Sequence, residues 1–257
     1  MNEFNQQWAI ILGGSSGLGL ASAKKLAAAG MNICIVHRDR RSDIPQFEDE
    51  VANLKNFGVS VKTFNKDALN NEVRREIIDG FPKNTVKLLL HSIAKGSLKP
   101  MASKENAVLG KQDLDITIHA MATSWYEWTQ ELISKKLFTD NARNIAFTSE
   151  GNARVWPGYA AVSAAKCVLE ALMRNMAVEL APLGINTNCI QAGTTATASF
   201  KMIPGSEKLA DMSKQRNPFQ RMTQPEDVAN VVYLLCKNEA NWINGTIIKA
   251  DGGESLR

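Results

Sequence analysis

Tyr159 and Lys166 lie seven residues apart in the run Pro157-Gly158-Tyr159-Ala160-Ala161-Val162-Ser163-Ala164-Ala165-Lys166. In a helix that spacing is close to two turns, so both side chains point along one face. A phenol placed there donates a hydrogen bond to an oxygen that is becoming negative, and an ammonium holds a ribose while favouring the donor's acidity. That is reductase chemistry. The same residues also fit a tyrosine capping a buried helix and a lysine snorkelling to water.

A second group of residues bears on what such a pair works with. Leu12-Gly13-Gly14-Ser15-Ser16-Gly17-Leu18-Gly19 follows the strand-like run Trp8–Leu12 and leads into an alanine-rich helical stretch. Glycines permit the sharp turn and the close approach of backbone to phosphate, and the next helix offers unpaired N–H groups and a favourable dipole. Gly13, Ser15, Ser16, Gly17, Leu18 and Gly19 are therefore the expected pyrophosphate cradle of a dinucleotide. After the second strand, where an acid would bind the adenosine ribose of NAD, stand His37 and Arg38. A guanidinium pairs with a 2′-phosphate, so NADPH is expected and NADH is the less favoured cofactor. Arg40 and Arg41 strengthen the positive field, Asp39 and Asp43 dilute it, and Arg38 also reads as a solvated loop residue. Asp67, followed by Ala68, is a candidate for the adenine amino group, or equally an Asx turn or helix cap.

These residues need elements to hold them. Short aliphatic or β-branched runs predict strands at Trp8–Leu12, Met31–Val36, Val59–Phe64, Val86–His91, Asn144–Thr148, Asn186–Ile190 and Thr246–Lys249. Amphipathic stretches between them predict helices at Gly17–Ala29, about Pro45–Phe57, Asn71–Phe81, Leu114–Leu137, Tyr159–Leu180 and Pro225–Leu235. Gly30, Gly58 and Gly184 fall where left-handed helix caps are needed. The alternation predicts an α/β fold: a single-domain, Rossmann-type, doubly wound parallel sheet of seven strands covering residues 1–257, with its crevice at the strands' carboxyl ends. Lys95–Lys111 and Gly193–Pro218 carry little regular signal and are expected to be loops at that edge, the second (about 194–218) facing substrate.

Composition narrows the function classes. The chain has 257 residues, 44% hydrophobic and 22% charged, and no apolar run approaches the ~18 residues of a membrane span. A net charge of +4 is spread over separate segments, which predicts no nucleic-acid face. Four scattered cysteines without Cys-x-x-Cys spacing and three isolated histidines predict neither disulfide nor metal. Met1–Gln7 lacks a secretory pattern, and a cytoplasmic location is expected.

The glycine pattern, the Tyr/Lys pair and the ending Asn244-Gly245-Thr246 to Asp251-Gly252-Gly253 together resemble the short-chain dehydrogenase/reductase superfamily over essentially the whole chain. Most members place the lysine four residues after the tyrosine, where this chain has Ser163. The Tyr-x6-Lys spacing is similar to that of the enoyl-acyl carrier protein reductases of fatty acid biosynthesis, and so is His91-Ser92-Ile93-Ala94 in place of Asn-Ala-Gly. The superfamily's usual asparagine on the fourth helix is replaced by His119, which either joins proton transfer or packs as an ordinary helix residue. The resemblance implies that Ser149 helps orient the thioester or Tyr159, unless it only caps backbone. It also implies that Ser92, Ile93 and Ala94 line the cofactor crevice, with Ala94 also meeting substrate. Thr195 is then expected to meet the nicotinamide carboxamide, with Gly193 and Thr197 also contacting the cofactor.

Phe200 and Met202 look like part of a substrate lid, or like one face of a surface helix. Trp125, Tyr126 and Trp128 read as core or subunit-interface aromatics, and the resemblance implies a homodimer or homotetramer. The expected activity is NADPH-dependent reduction of the trans-2 double bond of acyl thioesters, with the acyl group on acyl carrier protein. The alternatives are a 2,4-dienoyl-CoA reductase, a ketoreductase or alcohol dehydrogenase, and a non-catalytic NADP(H)-binding regulator.

Overall fold

The computed structural model describes residues 3–203 and 205–257. Seven parallel strands form one sheet in the order β3-β2-β1-β4-β5-β6-β7. They are β1 (Trp8–Leu12), β2 (Asn32–His37), β3 (Val61–Asn65), β4 (Val86–His91), β5 (Phe138–Ser149), β6 (Ile185–Ala192) and β7 (Ile247–Ala250). Every residue of β1 and β4 is buried, as expected of central strands covered on both faces. Side chains alternate between the faces. Ile10, Leu12 and Cys34 join Trp125, Trp128, Leu169 and Met173 on one side, and Ile11, Ile33 and Ile35 join Leu26, Leu54, Val228 and Val232 on the other.

The helices are α1 (Gly17–Ala28), α2 (Ile44–Lys55), α3 (Asn71–Ile78), α4 (Lys111–Ile118), α5 (Ser124–Ser134), α6 (Ala160–Glu179), α7 (Ala198–Lys201), α8 (Ser206–Arg216) and α9 (Pro225–Cys236). Gly30, Gly58 and Gly184 all have positive φ, as their cap positions require. Among the described residues no helix is long and apolar enough to cross a membrane, and no His/Cys/Asp/Glu group is placed to hold a metal ion.

Three expectations change, the first being the strand predicted over Asn144–Thr148, which runs from Phe138 to Ser149 as β5. The helix predicted over Leu114–Leu137 is interrupted by a π-helical stretch, His119–Thr123, joining α4 to α5. Its Ala120 carbonyl accepts the Ser124 hydroxyl at 3.0 Å, and that hydroxyl also meets His91 Nε2 at 3.0 Å. The expected loop Gly193–Pro218 contains α7 and α8. Thr197 caps α7 by accepting the Phe200 amide, and α8 carries many polar residues, so its helical pattern is faint in the sequence.

At the opposite, amino-terminal edge, the β4–β5 register shifts between Val86 and Leu88. Lys87 is buried there, with its Nζ donating to the Asn141 carbonyl at 2.5 Å beside the buried guanidinium of Arg143. Burial, reinforced by the Arg143 charge, lowers the Lys87 pKa from 10.5 to about 8. Between those two values the unfolded chain holds a proton that the folded chain has released, so this lysine makes stability rise with pH across that window. Below it the folded state carries the full penalty of a buried charge. Lys87→Met is expected to stabilise the protein by ~1 kcal/mol or more at pH 7. The gain, read from Tm as a function of pH, should shrink above pH 8 and vanish near 10.5.

Candidate active site

The sheet's strand order reverses between β1 and β4, which opens a crevice at their carboxyl ends. Gly13 has φ +83°, and a Cβ there would lie 2.8 Å from the Ser92 carbonyl oxygen. A Cβ on Gly19 would lie 2.3 Å from the Gly13 carbonyl oxygen. Gly17, at φ +53°, faces the Thr197 methyl, where a Cβ would approach to 3.2 Å. The turns after β1, β4 and β6 therefore meet with room for glycine alone. Ser16, the cap residue of α1, makes no side-chain cap bond, so that helix start keeps N–H groups free for phosphate. Ser15 Oγ donates to Asp39 Oδ1 at 2.9 Å, and Leu18 packs on the core behind the turn. This cradle fits a dinucleotide pyrophosphate. Ser92 donates its amide to the Leu12 carbonyl at 2.8 Å, Ile93 packs inward, and Ala94 is exposed.

At the adenosine end, His37 is buried against the ring of Phe47, and its Nδ1 lies 2.8 Å from Asp39 Oδ2. Burial lowers its pKa while Asp39 pulls it back up. The surface there is formed by its neighbours. Arg38, with 68% of its side chain exposed, reaches Asp67 Oδ2 at 3.1 Å. Asp67 Oδ1 in turn accepts the Leu69 amide at 3.0 Å, an Asx turn. Ala68 is buried, and its carbonyl accepts the Trp128 indole at 2.9 Å. Asp39 is gripped further by Asn65, whose Oδ1 accepts its amide at 2.9 Å. In the sequence Asp39 is legible only as a charge that dilutes the basic cluster. Its place beside Ser15 depends on a contact between β1 and β2 turns that periodicity does not report.

Tyr159 stands at the cap of α6, and its ring lies against the turn Glu150–Asn152 that follows β5. A Cβ on Gly151 would come within 2.4 Å of the Tyr159 Cε1 and 3.4 Å of Ser149 Oγ. Gly151 is thus the floor on which the phenol ring rests, a role with no sequence signal beyond a glycine in a turn. Burial raises the Tyr159 pKa, and the Ser149 hydroxyl offsets part of the rise. Ser149 Oγ is shielded from solvent beside the phenol.

Lys166 is buried, and its Nζ donates to the Phe147 carbonyl of β5 at 2.7 Å rather than snorkelling to water. Burial lowers its pKa to about 8, against the opposing effects of Cys189 and Glu170. Glu170, one turn further along α6, accepts Thr148 Oγ1 and Asn152 Nδ2, each at 2.6 Å. It braces the strand end on which Ser149 sits.

After β6, a Cβ on Gly193 would lie 2.2 Å from Thr223 Oγ1, and Thr195 Oγ1 donates to the Gly193 carbonyl at 2.8 Å. Thr195 pairs with Thr223 through an isolated parallel bridge, and Thr197 faces Gly17. Phe200 is half-buried on α7 and Met202 is exposed beyond it. His119 lies on the π-helical stretch, its Nδ1 3.3 Å from Thr123 Oγ1 and 3.8 Å from Glu127 Oε1. Trp125 and Trp128 belong to the core and Tyr126 is exposed.

Residues 13–255 match the family model described as enoyl-(acyl carrier protein) reductase. The 1-cyclohexenylcarbonyl-CoA reductase of Streptomyces collinus is 26% identical over 253 residues, 98% of this chain and 88% of that protein. A short-chain dehydrogenase/reductase from Serratia marcescens superposes with a TM-score of 0.82 at 25% identity, covering 98% of this chain and 99% of that one. The enoyl-[acyl-carrier-protein] reductase (NADH) from Aquifex aeolicus shares the fold with a TM-score of 0.82 at 21% identity, covering 99% and 98% of the two chains.

Gly151→Ala is expected to push the Tyr159 ring aside and lower kcat by about 10-fold or more, with the NADPH dissociation constant little changed. Unaltered kcat would remove Gly151 from the site. Because the Lys166 ammonium is lost as pH rises through about 8, cofactor affinity should fall across that range. Fluorescence titration of NADPH from pH 6.5 to 9.5 measures this, with Lys166→Met giving weaker and flat binding.

Proposed function

The chain belongs to the short-chain dehydrogenase/reductase superfamily, within the family described as enoyl-(acyl carrier protein) reductase, and from that membership we propose that it reduces the 2,3 double bond of enoyl thioesters. The observation that carries this reading is the Tyr159 phenol beside the shielded Ser149 hydroxyl, with the Lys166 ammonium buried on the same helix. When bound, the reduced nicotinamide cofactor supplies a hydride for the β-carbon of the substrate. Negative charge then gathers on the thioester oxygen, where Tyr159 donates its hydrogen bond. Burial keeps the phenol protonated at neutral pH, so it acts as a donor throughout. Ser149 Oγ orients the same oxygen, and solvent or a relay returns a proton to the α-carbon. Lys166 holds the cofactor ribose and adds positive potential beside Tyr159. The Streptomyces collinus relative supports the choice of a thioester substrate, since its name specifies an α,β-unsaturated acyl-CoA.

For the cofactor we favour NADPH. The carboxylates near the adenosine end are engaged, Asp39 with Ser15 and His37 and Asp67 with Arg38, while the exposed Arg38 fork keeps free donors for a 2′-phosphate. We place the acyl group on acyl carrier protein, and a homodimer or homotetramer, joined in part by the helix bearing the exposed Tyr126, as the working assembly.

Crotonyl-acyl carrier protein, crotonyl-CoA, a dienoyl thioester and a 3-ketoacyl thioester should each be offered with NADPH and with NADH, following absorbance at 340 nm. Rapid NADPH loss with a crotonyl thioester is the expected result, and Tyr159→Phe should reduce kcat by about 10²-fold with cofactor affinity preserved. Turnover of the ketoacyl substrate alone would make the chain a ketoreductase, and binding without turnover would make it a regulator.

A further inference from the structure

Arg216 ends α8, and its guanidinium touches the turn after β5 directly and the turn after β6 through Glu254 of the carboxyl-terminal segment. Nη2 donates to Glu150 Oε1 at 2.6 Å and to the Glu254 carbonyl at 3.0 Å. Nε donates to the Arg257 carbonyl at 2.8 Å, and Nη1 lies 3.8 Å from Glu254 Oε1. Glu254, almost fully buried, accepts Thr194 Oγ1 at 2.6 Å and the Thr194 amide at 3.0 Å. Glu150 directly precedes Gly151, the floor beneath the Tyr159 ring, and Thr194 directly precedes Thr195. Arg154 adds a 3.1 Å contact to Glu150 from the turn's own side.

We infer that Arg216 is a positioning residue, which ties the seating of the end of α8 to the placement of Tyr159 through Glu150 and of the Thr194–Thr195 turn through Glu254. A planar fork with five donors serves carboxylates and carbonyls in several directions at once, which an ammonium does less well. At 15% exposure for the Arg216 side chain and 2% for that of Glu254, the pairing is shielded from salt and water. Seating α8 and aligning Tyr159 are thus one event rather than two. This role rests on the crevice being the reductase site proposed above.

The test compares Arg216→Met, Arg216→Lys, Glu150→Gln and the double variant Arg216→Met with Glu150→Gln, by hydrogen exchange and steady-state kinetics. Arg216→Met should raise exchange together at the end of α8, at 149–153 and at 193–197. It should also lower kcat by about 10-fold or more, with less than about a threefold change in NADPH affinity. Arg216→Lys should restore part of both effects, and Glu150→Gln should add little in the Arg216→Met background. Exchange confined to α8 with kcat unchanged, or additive losses in the double variant, would overturn the coupling. If the wild type reduces no enoyl thioester, the proposed activity fails, while the exchange pattern still decides whether Arg216 joins the two turns.

Discussion

Backbone pressed against backbone at the carboxyl edge of the sheet is the constraint from which the crevice follows. A Cβ on Gly19 would strike the Gly13 carbonyl, one on Gly13 the Ser92 carbonyl, and one on Gly193 the Thr223 hydroxyl. The Gly13 contact lets the turn after β1 lie on that after β4 with no side chain between, the Gly19 contact folds the glycine turn tightly onto the start of α1, and the Gly193 contact seats Thr223, leaving amides facing the cavity at the start of α1. Two of these turns, after β1 and β4, flank the point where strand order reverses, and the turn after β6 joins them through Thr197, packed against Gly17. Phosphate binding and close packing are here the same geometric fact.

The donor groups depend on a second layer of buried polar contacts. Lys166 is fixed by a β5 carbonyl, and Glu170 grips Thr148 and Asn152 on either side of Ser149, so the strand end under Tyr159 has little freedom. Charges this deep are tolerated because each finds a partner, and the tension between burial and partnership lowers the Lys166 pKa while the phenol's rises. The same physics operates at the far edge, where Lys87 has a carbonyl but the Arg143 cation for a neighbour. There it lowers a pKa without serving the crevice.

The expectation of a loop over Gly193–Pro218 gave way to two short helices for a related reason. α8 is polar along much of its length, so its helicity is supported by what its end touches rather than by an apolar stripe. The Arg216 contacts and the Asn217 side chain, which donates to the Asp251 carbonyl at 2.9 Å, hold it to the carboxyl-terminal turn. The π-helical stretch His119–Thr123 likewise escaped a 3.6-residue period, because one extra residue in a turn hardly disturbs the apolar pattern.

Local order in the chain was enough to determine the seven-stranded alternation, the glycine turn after β1, the positions of Gly30, Gly58 and Gly184, and the presence of Tyr159 and Lys166 on one helix. These rest on periodicity and on backbone angles that act over a few residues. Tertiary structure alone decided that Gly151 lies under the phenol, that Asp39 meets Ser15, that His37 turns inward to Phe47 while Arg38 meets Asp67, and that Arg216 reaches Glu150 across 66 positions of sequence. The Asp39–Ser15 and Arg38–Asp67 contacts join turns that follow different strands, Arg216 reaches Glu150 from the end of α8, and the other two fold a single connection back on itself. Their distances are set by how the sheet twists and packs, which no spacing within a single segment records.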